Sequence, residues 1–346
     1  MKAAVFYGEG KVSVEERKKP EIQAADDVLV QVKAASICGS DLHVLNVPPG
    51  QYAKPDTILG HEFCGEVIQT GEKVKLFQKG DRVIIEPIIK CGMCEACRNG
   101  LENLCEDSEI IGQTRDGGFA EYCVIPQRYL YRTPDEVSDR LAALAEPLAC
   151  VMHGILKLNP MAHEKAVIFG AGAIGLIFLK VLKYYGVRNI IVCEPEPGRR
   201  QDALRLGANL VIDTANENVE DKMKQSWSCM ADIAVDAVGI GSVMEQAVSI
   251  LRPGGRLLIF GQNTTQWSRI KPSDINTKEL MILGTMSTRD SFPVAVELLR
   301  NPELHLEEII SHELSLEEFE KGIQLMRMRQ GTKIIILPQE RTHGKI

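Results

Sequence analysis

Apolar and polar positions alternate in short runs through the first 147 residues: KAAVFY, DVLVQVKAAS, CGEVIQTG, DRVIIEP and FAEYCVIP, each bounded by Gly, Pro or Asp. Successive side chains of a strand face opposite sides of its sheet, so this patterning predicts a mostly antiparallel β domain. From 148 to 288 the pattern changes. Continuous apolar runs rich in β-branched residues (AVIFG, NIIVCE, LVID, ADIAVDAVG, RLLIFG, LMILGT) alternate with helical stretches such as LIFLKVLKYYG and GRRQDALRLGA. Strands without alternation are buried on both faces, which predicts a parallel sheet covered by helices and hence an α/β chain. After 288, SFPVAVELLRN and LSLEEFEKGIQLMRMR read as helices and TKIIILP as a strand. Periodicity leaves open whether this segment packs back on the first domain. The closing QERTHGKI reads as a frayed polar tail.

Length and charge narrow the classes of function. A chain of 346 residues exceeds the usual size of one hydrophobic core, so two domains are expected. A formal net charge of −7 with no basic cluster argues against nucleic acid or an anionic membrane as partner. The longest apolar run, Ala166 to Leu179, spans 14 residues and contains three glycines, too short and too broken for a bilayer. Ten cysteines would suit a disulfide framework, but they cluster, and the first residues, MKAAVFYGEGKVSV, are too polar for a secretory signal. A reducing cytoplasm is the expected location.

The clustered cysteines are Cys91, Cys94, Cys97 and Cys105. Two CxxC steps sharing Cys94, with a fourth thiol eight residues after Cys97, let one short loop offer four sulfurs to a tetrahedral centre. A closed four-thiolate shell suits a structural zinc, and the surrounding glycines and charges form a lobe with no apolar period of its own to hold it together. A second, dispersed set contains Cys38, His61, Glu62 and Glu146. Thiolate, imidazole and carboxylate with water match a catalytic zinc that keeps one position open. Glu146 is favoured as third ligand, with Glu62 able to enter or to act through water. Two zincs per chain are therefore expected. Cys64, Cys123, Cys193 and Cys229 read as small core residues.

Directly after the run Ala166 to Phe169 come Gly170, Ala171, Gly172, Ala173, Ile174 and Gly175, then an apolar helix. In the dinucleotide fingerprint the first glycine makes the turn, the second admits the pyrophosphate and the third lets helix and strand pack closely. A second strand ends at Glu194, 19 residues beyond Gly175, where a carboxylate accepts hydrogen bonds from ribose hydroxyls and repels a 2′-phosphate. NAD is preferred over NADP on that ground. Arg199 and Arg200 either reach a 2′-phosphate or begin a solvated helix.

The motifs CGSDLH (38–43), GHE (60–62), the four-cysteine lobe, DGGFAEY (116–122), EPLA (146–149) and GAGAIG (170–175) together resemble the zinc-containing medium-chain dehydrogenases over nearly the whole chain, closest to the sorbitol and related polyol dehydrogenases. The resemblance implies a GroES-like catalytic domain of residues 1–147 completed by 289–346, a Rossmann NAD-binding domain of 148–288, and a homodimer or homotetramer. It implies Cys38, His61 and Glu146 as catalytic zinc ligands, the glutamate pointing to the polyol branch. Glu62 matches an acidic residue that coordinates zinc in one state of the cycle. Ser40 and His43 match residues that relay the substrate proton toward solvent, and Arg289 resembles a substrate or phosphate contact.

The function expected is NAD-dependent oxidation of a secondary alcohol of a polyol or sugar-derived substrate. A hexitol phosphate is the runner-up, with Arg115 and Arg289 as candidate phosphate contacts. L-Threonine comes third, since no site for its ammonium stands out. A zinc-less reductase, or a non-catalytic nucleotide-binding member of the superfamily, is the reading from a different class. Both normally lack a zinc ligand set such as the one present here.

Overall fold

The computed structural model describes residues 1–339; most of the polar tail, residues 340–346, lies outside the described residues. The chain forms two compact units. One comprises Met1–Ala149, Thr288–Pro302 and the described residues from Ile310 onward; the other comprises Cys150–Ser287 and Glu303–Ile309.

In the first unit the strand Asp27–Ser36 is the organising element. Along one edge it pairs antiparallel with Glu62–Thr70, with Ser36 opposite Glu62. Along the other edge it pairs with Tyr122–Pro126 near its start and, near its end, with Lys333–Leu337, where Ile335 stands opposite Ser36 and Ile336 opposite Ala35. Arg82–Ile85, Leu130–Arg132 and Ile310–Ser315 complete a seven-stranded sheet. A separate three-stranded sheet holds Lys11–Glu16, Lys2–Gly8 and Thr57–Ile58. The C-terminal strand therefore returns to the first unit, a point that periodicity leaves open. Its neighbour Ile310–Ser315 escapes the hydrophobic pattern because ISHELS carries only two apolar residues, yet it pairs parallel with Lys333–Leu337. Phe63, Phe119, Phe319 and Ile336 fill the core below the sheet, the rings of Phe119 and Phe319 lying 4.8 Å apart.

The second unit contains a six-stranded sheet in the order Leu210–Ile212, Asn189–Cys193, Lys165–Phe169, Ala231–Asp236, Leu251–Ile259, Met281–Gly284, with all pairs parallel. The order reverses beside Lys165–Phe169, and in such doubly wound sheets ligands bind outside the carboxyl ends of the strands at this switch point. Buried runs such as Ala166–Phe169 and Ile190–Cys193 carry no alternation because helices cover both faces. Glu303–Ile309 joins this unit, although the expected division gives 289–346 to the other one. Its two 3₁₀ turns are too short to show a period, and Glu308 pairs with Lys180 at 2.6 Å while Leu306 and Ile309 are buried. Among the described residues no helix is long and apolar enough to cross a membrane.

Closure of the first unit by its last strand makes a direct prediction. Ile336→Ala removes a fully buried side chain opposite Ala35 and should cost about 2–5 kcal/mol in denaturant unfolding, whereas Met328→Ala, exposed beyond the final helix, should stay within about 0.5 kcal/mol of the parent.

Candidate metal centres and nucleotide site

The four-cysteine lobe is folded by hydrogen bonds to sulfur. Cys94 caps the short helix Glu95–Arg98 and accepts from the Cys97 amide at 3.5 Å, while Cys91 Sγ accepts from the Met93 and Cys94 amides at 3.4 and 3.3 Å. The Cys91 amide donates to Cys105 Sγ at 3.3 Å. Backbone donors from Cys97 and Glu106 draw the Cys94 thiol down to about 7. Sulfur–sulfur separations of 4.0 Å (Cys91–Cys97) and 3.9 Å (Cys94–Cys105) are far too long for a disulfide. They match the edge of a tetrahedron with metal–sulfur bonds of about 2.3 Å, which is roughly 3.8 Å. All four ligand atoms lie within 4.8 Å of one another. The spacing and the fold of the lobe thus agree on one metal.

The second cluster is built at the ends of two paired strands. Beyond Ser36 the chain turns at Cys38, which caps the helix Gly39–Val44, and the Cys38 amide donates to Asp41 Oδ2 at 2.9 Å. His61 immediately precedes Glu62–Thr70 and is held from behind by the DGGF segment. The amides of Gly117, Gly118 and Phe119 donate to the carbonyls of Ile58, Gly60 and Leu59 at 2.8, 2.8 and 2.9 Å, and Asp116 accepts from the Ile58 amide at 2.9 Å. His61 Nε2 lies 3.2 Å from Ser40 Oγ, and its Nδ1 faces Asp41 Oδ1 at 3.6 Å. At that separation Asp41 acts on the ring as a charge rather than as a hydrogen-bond acceptor.

The donor atoms of Cys38, His61 and Glu62 lie within 4.8 Å of one another. Glu146, in the first turn of Ala145–Leu158, stands outside that group but close enough to act electrostatically on His61 and Lys333. Glu62 also receives hydrogen bonds from Ser36 Oγ and from the buried Lys333 ammonium. Its other oxygen, together with Asp41 Oδ1 and His61 Nδ1, is buried without a hydrogen-bond partner.

The local field is that of a buried anionic pocket. Burial, then Glu62, pushes the Cys38 thiol up. Burial pulls His61 down, but Asp41, Cys38 and Glu146 outweigh it and hold the imidazole well above its usual range. Lys333 likewise loses to burial and gains more from Glu62 and Cys38. Soft and hard donors converging with an unsatisfied interior oxygen fit a divalent cation such as zinc, which answers both the surplus charge and the orphaned acceptor.

Of the residues expected at this site, Cys38, Ser40, His61 and Glu62 meet directly. His43 lies on the same short helix but is exposed. Arg115 pairs with Glu109 at 3.2 Å and Arg289 lies 3.9 Å from Asp290. Ser36, Asp41 and Lys333 are participants that motif reading does not single out. Asp41 sits inside the motif CGSDLH and three residues beyond a candidate ligand, a spacing that signals its reach back to the Cys38 amide. Lys333, 271 residues from Glu62, had no local signal. Cys64, Cys123 and Cys193 are buried, but Cys229 is exposed in the loop before Ala231–Asp236, with Lys165 Nζ 2.8 Å from its sulfur.

The glycine loop behaves as its spacing requires. Gly170 has φ +96°, a region that favours glycine, and a Cβ on Gly175 would lie 1.9 Å from the Gly170 carbonyl oxygen. The space in front of Gly172 is open, with Arg199 Nη1 the nearest atom at 3.9 Å from a built Cβ. Ala173 and Ile174 begin the helix Ala173–Tyr184, capped by Gly172. The buried Glu194 carboxylate reaches the loop itself, accepting from the Ala171 amide at 2.8 Å and the Glu196 amide at 3.0 Å. Arg200 is engaged by the carbonyls of Glu194 and Pro195 and by Asp213 at 3.0 Å, which leaves Arg199 as the cation beside Gly172.

Comparison with known proteins agrees with this construction. Residues 24–135 match the alcohol dehydrogenase GroES-like domain, and residues 173–301 match the zinc-binding dehydrogenase family. The chain is similar to the L-threonine 3-dehydrogenase of Alteromonas mediterranea, at 32% identity over 335 residues covering 93% of this chain and 95% of that one. Among solved structures it resembles a Sinorhizobium meliloti 1021 protein bound to NADP (30% identity, 97% and 99% of the two chains, TM-score 0.92) and the galactitol-1-phosphate dehydrogenase of Escherichia coli (27%, 98% and 100%, TM-score 0.89). A GroES-like unit bearing two zinc-type clusters, joined in one chain to a doubly wound nucleotide-type unit, makes this protein a member of the zinc-containing medium-chain dehydrogenase family.

Proposed function

We propose that the protein oxidises the secondary hydroxyl of a small polar substrate to a ketone, with Cys38, His61 and Glu146 holding the reactive zinc and NAD as hydride acceptor. The observation that carries this reading is the buried Cys38–His61–Glu62 cluster with its orphaned carboxylate oxygen, and Glu146 close enough beside it to act on His61. When bound, the metal supplies Lewis acidity toward the substrate hydroxyl and the nicotinamide supplies the redox chemistry. The chain's own residues do the rest. Ser40 Oγ, beside His61 Nε2, accepts the substrate proton as its own hydroxyl proton leaves toward the exposed His43 on the same helix, which gives a proton up to water. Asp41 acts on the His61 ring as a charge, and Glu62 stands by as an additional ligand. In the second unit, Gly172 leaves room for the pyrophosphate at a helix N-terminus, and Glu194 receives the adenosine ribose.

A polyol or sugar-derived alcohol is the substrate class we assign. L-Threonine is the second reading, since relatives of near-equal length carry that activity in their names. The carboxylate neighbours of Arg115 and Arg289 disfavour a phosphorylated hexitol.

Metal analysis of the purified protein should find two zincs per chain. Cys38→Ser should lose one, remain folded and fall at least about 10³-fold in kcat/KM; Cys97→Ser should lose the other and melt several degrees lower. Retention of near-normal activity by a zinc-verified Cys38→Ser preparation refutes the assignment. Gly172→Ala should fold normally and bind NADH about tenfold more weakly, about 1.4 kcal/mol, in a fluorescence titration. Glu194→Ser should narrow the ratio of NAD to NADP efficiency; an unchanged ratio removes Glu194 from the ribose site. Steady-state assays across polyols, their phosphates, aldonates and L-threonine decide the substrate, and an oxidation rate confined to L-threonine would displace the polyol reading.

A further inference from the structure

Beyond the switch point of the second unit's sheet lie Ala231–Asp236, Leu251–Ile259 and Met281–Gly284. Each half of a doubly wound sheet takes one nucleotide of a dinucleotide, at the carboxyl ends of its strands. The glycine loop and Glu194 belong to the other half, so the nicotinamide falls to the chain just past Asp236, Ile259 and Gly284. Two of these ends are tied together, the amides of Phe260 and Gly261 donating to the Asp236 carbonyl at 3.0 and 2.9 Å. The third belongs to an edge strand, and its last ladder bond runs from the Thr285 amide to the Ile259 carbonyl at 3.2 Å.

Past that bond the chain is held by the helix Ala145–Leu158. His153 Nδ1 lies 2.9 Å from the Ser287 carbonyl oxygen and 3.2 Å from Thr285 Oγ1; Lys157, one helical turn on, donates to the Gly284 carbonyl at 2.7 Å. A carbonyl only accepts, so Nδ1 carries the proton. Ser287 has φ +52°, a left-handed conformation that is costly for a residue with a Cβ and persists only where its surroundings impose it. The imidazole that grips its carbonyl is 4% exposed. All five residues belong to the second unit.

We propose that His153 is a positioning residue of the cofactor site: by holding the Ser287 carbonyl it sets the backbone of 285–287 against which the nicotinamide lies. Without that donor Ser287 relaxes out of the left-handed region and the strand end shifts, while the glycine loop and Glu194 stay as they are. The inference rests on the reading that this unit binds NAD.

The test compares NADH with ADP-ribose, which lacks only the nicotinamide, by calorimetric titration of the zinc-loaded protein. His153→Leu should weaken NADH at least about fivefold and leave ADP-ribose within about twofold of the parent. His153→Asn, whose amide nitrogen stands where Nδ1 does, should bring NADH back to within about twofold. His153→Gln, whose amide nitrogen falls nearer the place of Nε2, should resemble His153→Leu. The emission maximum of bound NADH gives a second readout, moving toward that of free NADH in His153→Leu and returning in His153→Asn. A smaller loss of NADH affinity in His153→Leu, or an equal loss for both ligands, overturns the inference and leaves the NAD reading intact, since a merely structural role would weaken both ligands alike. Should His153→Leu fail to fold, the two amides decide: tighter NADH binding by His153→Asn than by His153→Gln, with equal ADP-ribose binding, supports the inference, and equal NADH binding overturns it. A parent protein that binds neither ligand removes the NAD reading and this inference with it.

Discussion

The first unit depends on balancing negative charge that has been taken out of water. Cys38 and Asp41 from one turn, Glu62 from the neighbouring position and Glu146 from a distant helix surround His61, and all but Cys38 are at least nine-tenths buried. An isolated ionised carboxylate in such surroundings is costly, and removing one partner of a buried pair costs about 3–5 kcal/mol. The compensation comes from Lys333, from backbone and hydroxyl donors, and from the divalent cation that the donor set fits. Stability and chemistry are thereby coupled at one place, because the charges that need the metal also create its site.

The sheet register supplies the geometry. Ser36 opposite Glu62 fixes which residues of Asp27–Ser36 and Glu62–Thr70 share a face. The chain just beyond the first strand then delivers Cys38, and the residue just before the second delivers His61. A slip of one residue in this pairing would turn Glu62 to the opposite side of the sheet. The backbone clamp between 58–60 and 117–119 holds His61 against such a slip. The four-cysteine lobe solves a different problem. It has little apolar surface of its own, so its order derives from amide-to-sulfur bonds and the metal they prepare for. In the second unit, close packing of a helix on a strand is the governing requirement, and the contact between Gly175 and the Gly170 carbonyl leaves no room for a side chain.

Much of this architecture was legible along the chain. Apolar runs without alternation announced the parallel strands of the second unit, and GAGAIG after Phe169 located its turn, because both signals are local and steric. The four-cysteine lobe was equally plain, since its ligands lie within one loop. The excursion Glu303–Ile309 and the strand Ile310–Ser315 were not, as neither is long or apolar enough to display a period. Cys229 is exposed rather than in the core, and escapes notice for a related reason: a loop residue between two elements has no pattern to report its exposure.

Sequence alone therefore determined the two fold classes, the thiolate lobe, the glycine turn and the residue types able to form a second metal centre. Only the tertiary structure decided which of those residues meet. Glu62 and Glu146 are equivalent as carboxylates, and the pairing of strands that brings Glu62 rather than Glu146 into the tight group with Cys38 and His61 depends on register. The ammonium that balances Glu62 comes from Lys333 near the other end of the chain. Local patterning records which face of an element is buried; it carries no information about which distant charge lies across from it, because that is set by how the strands are ordered in the sheet.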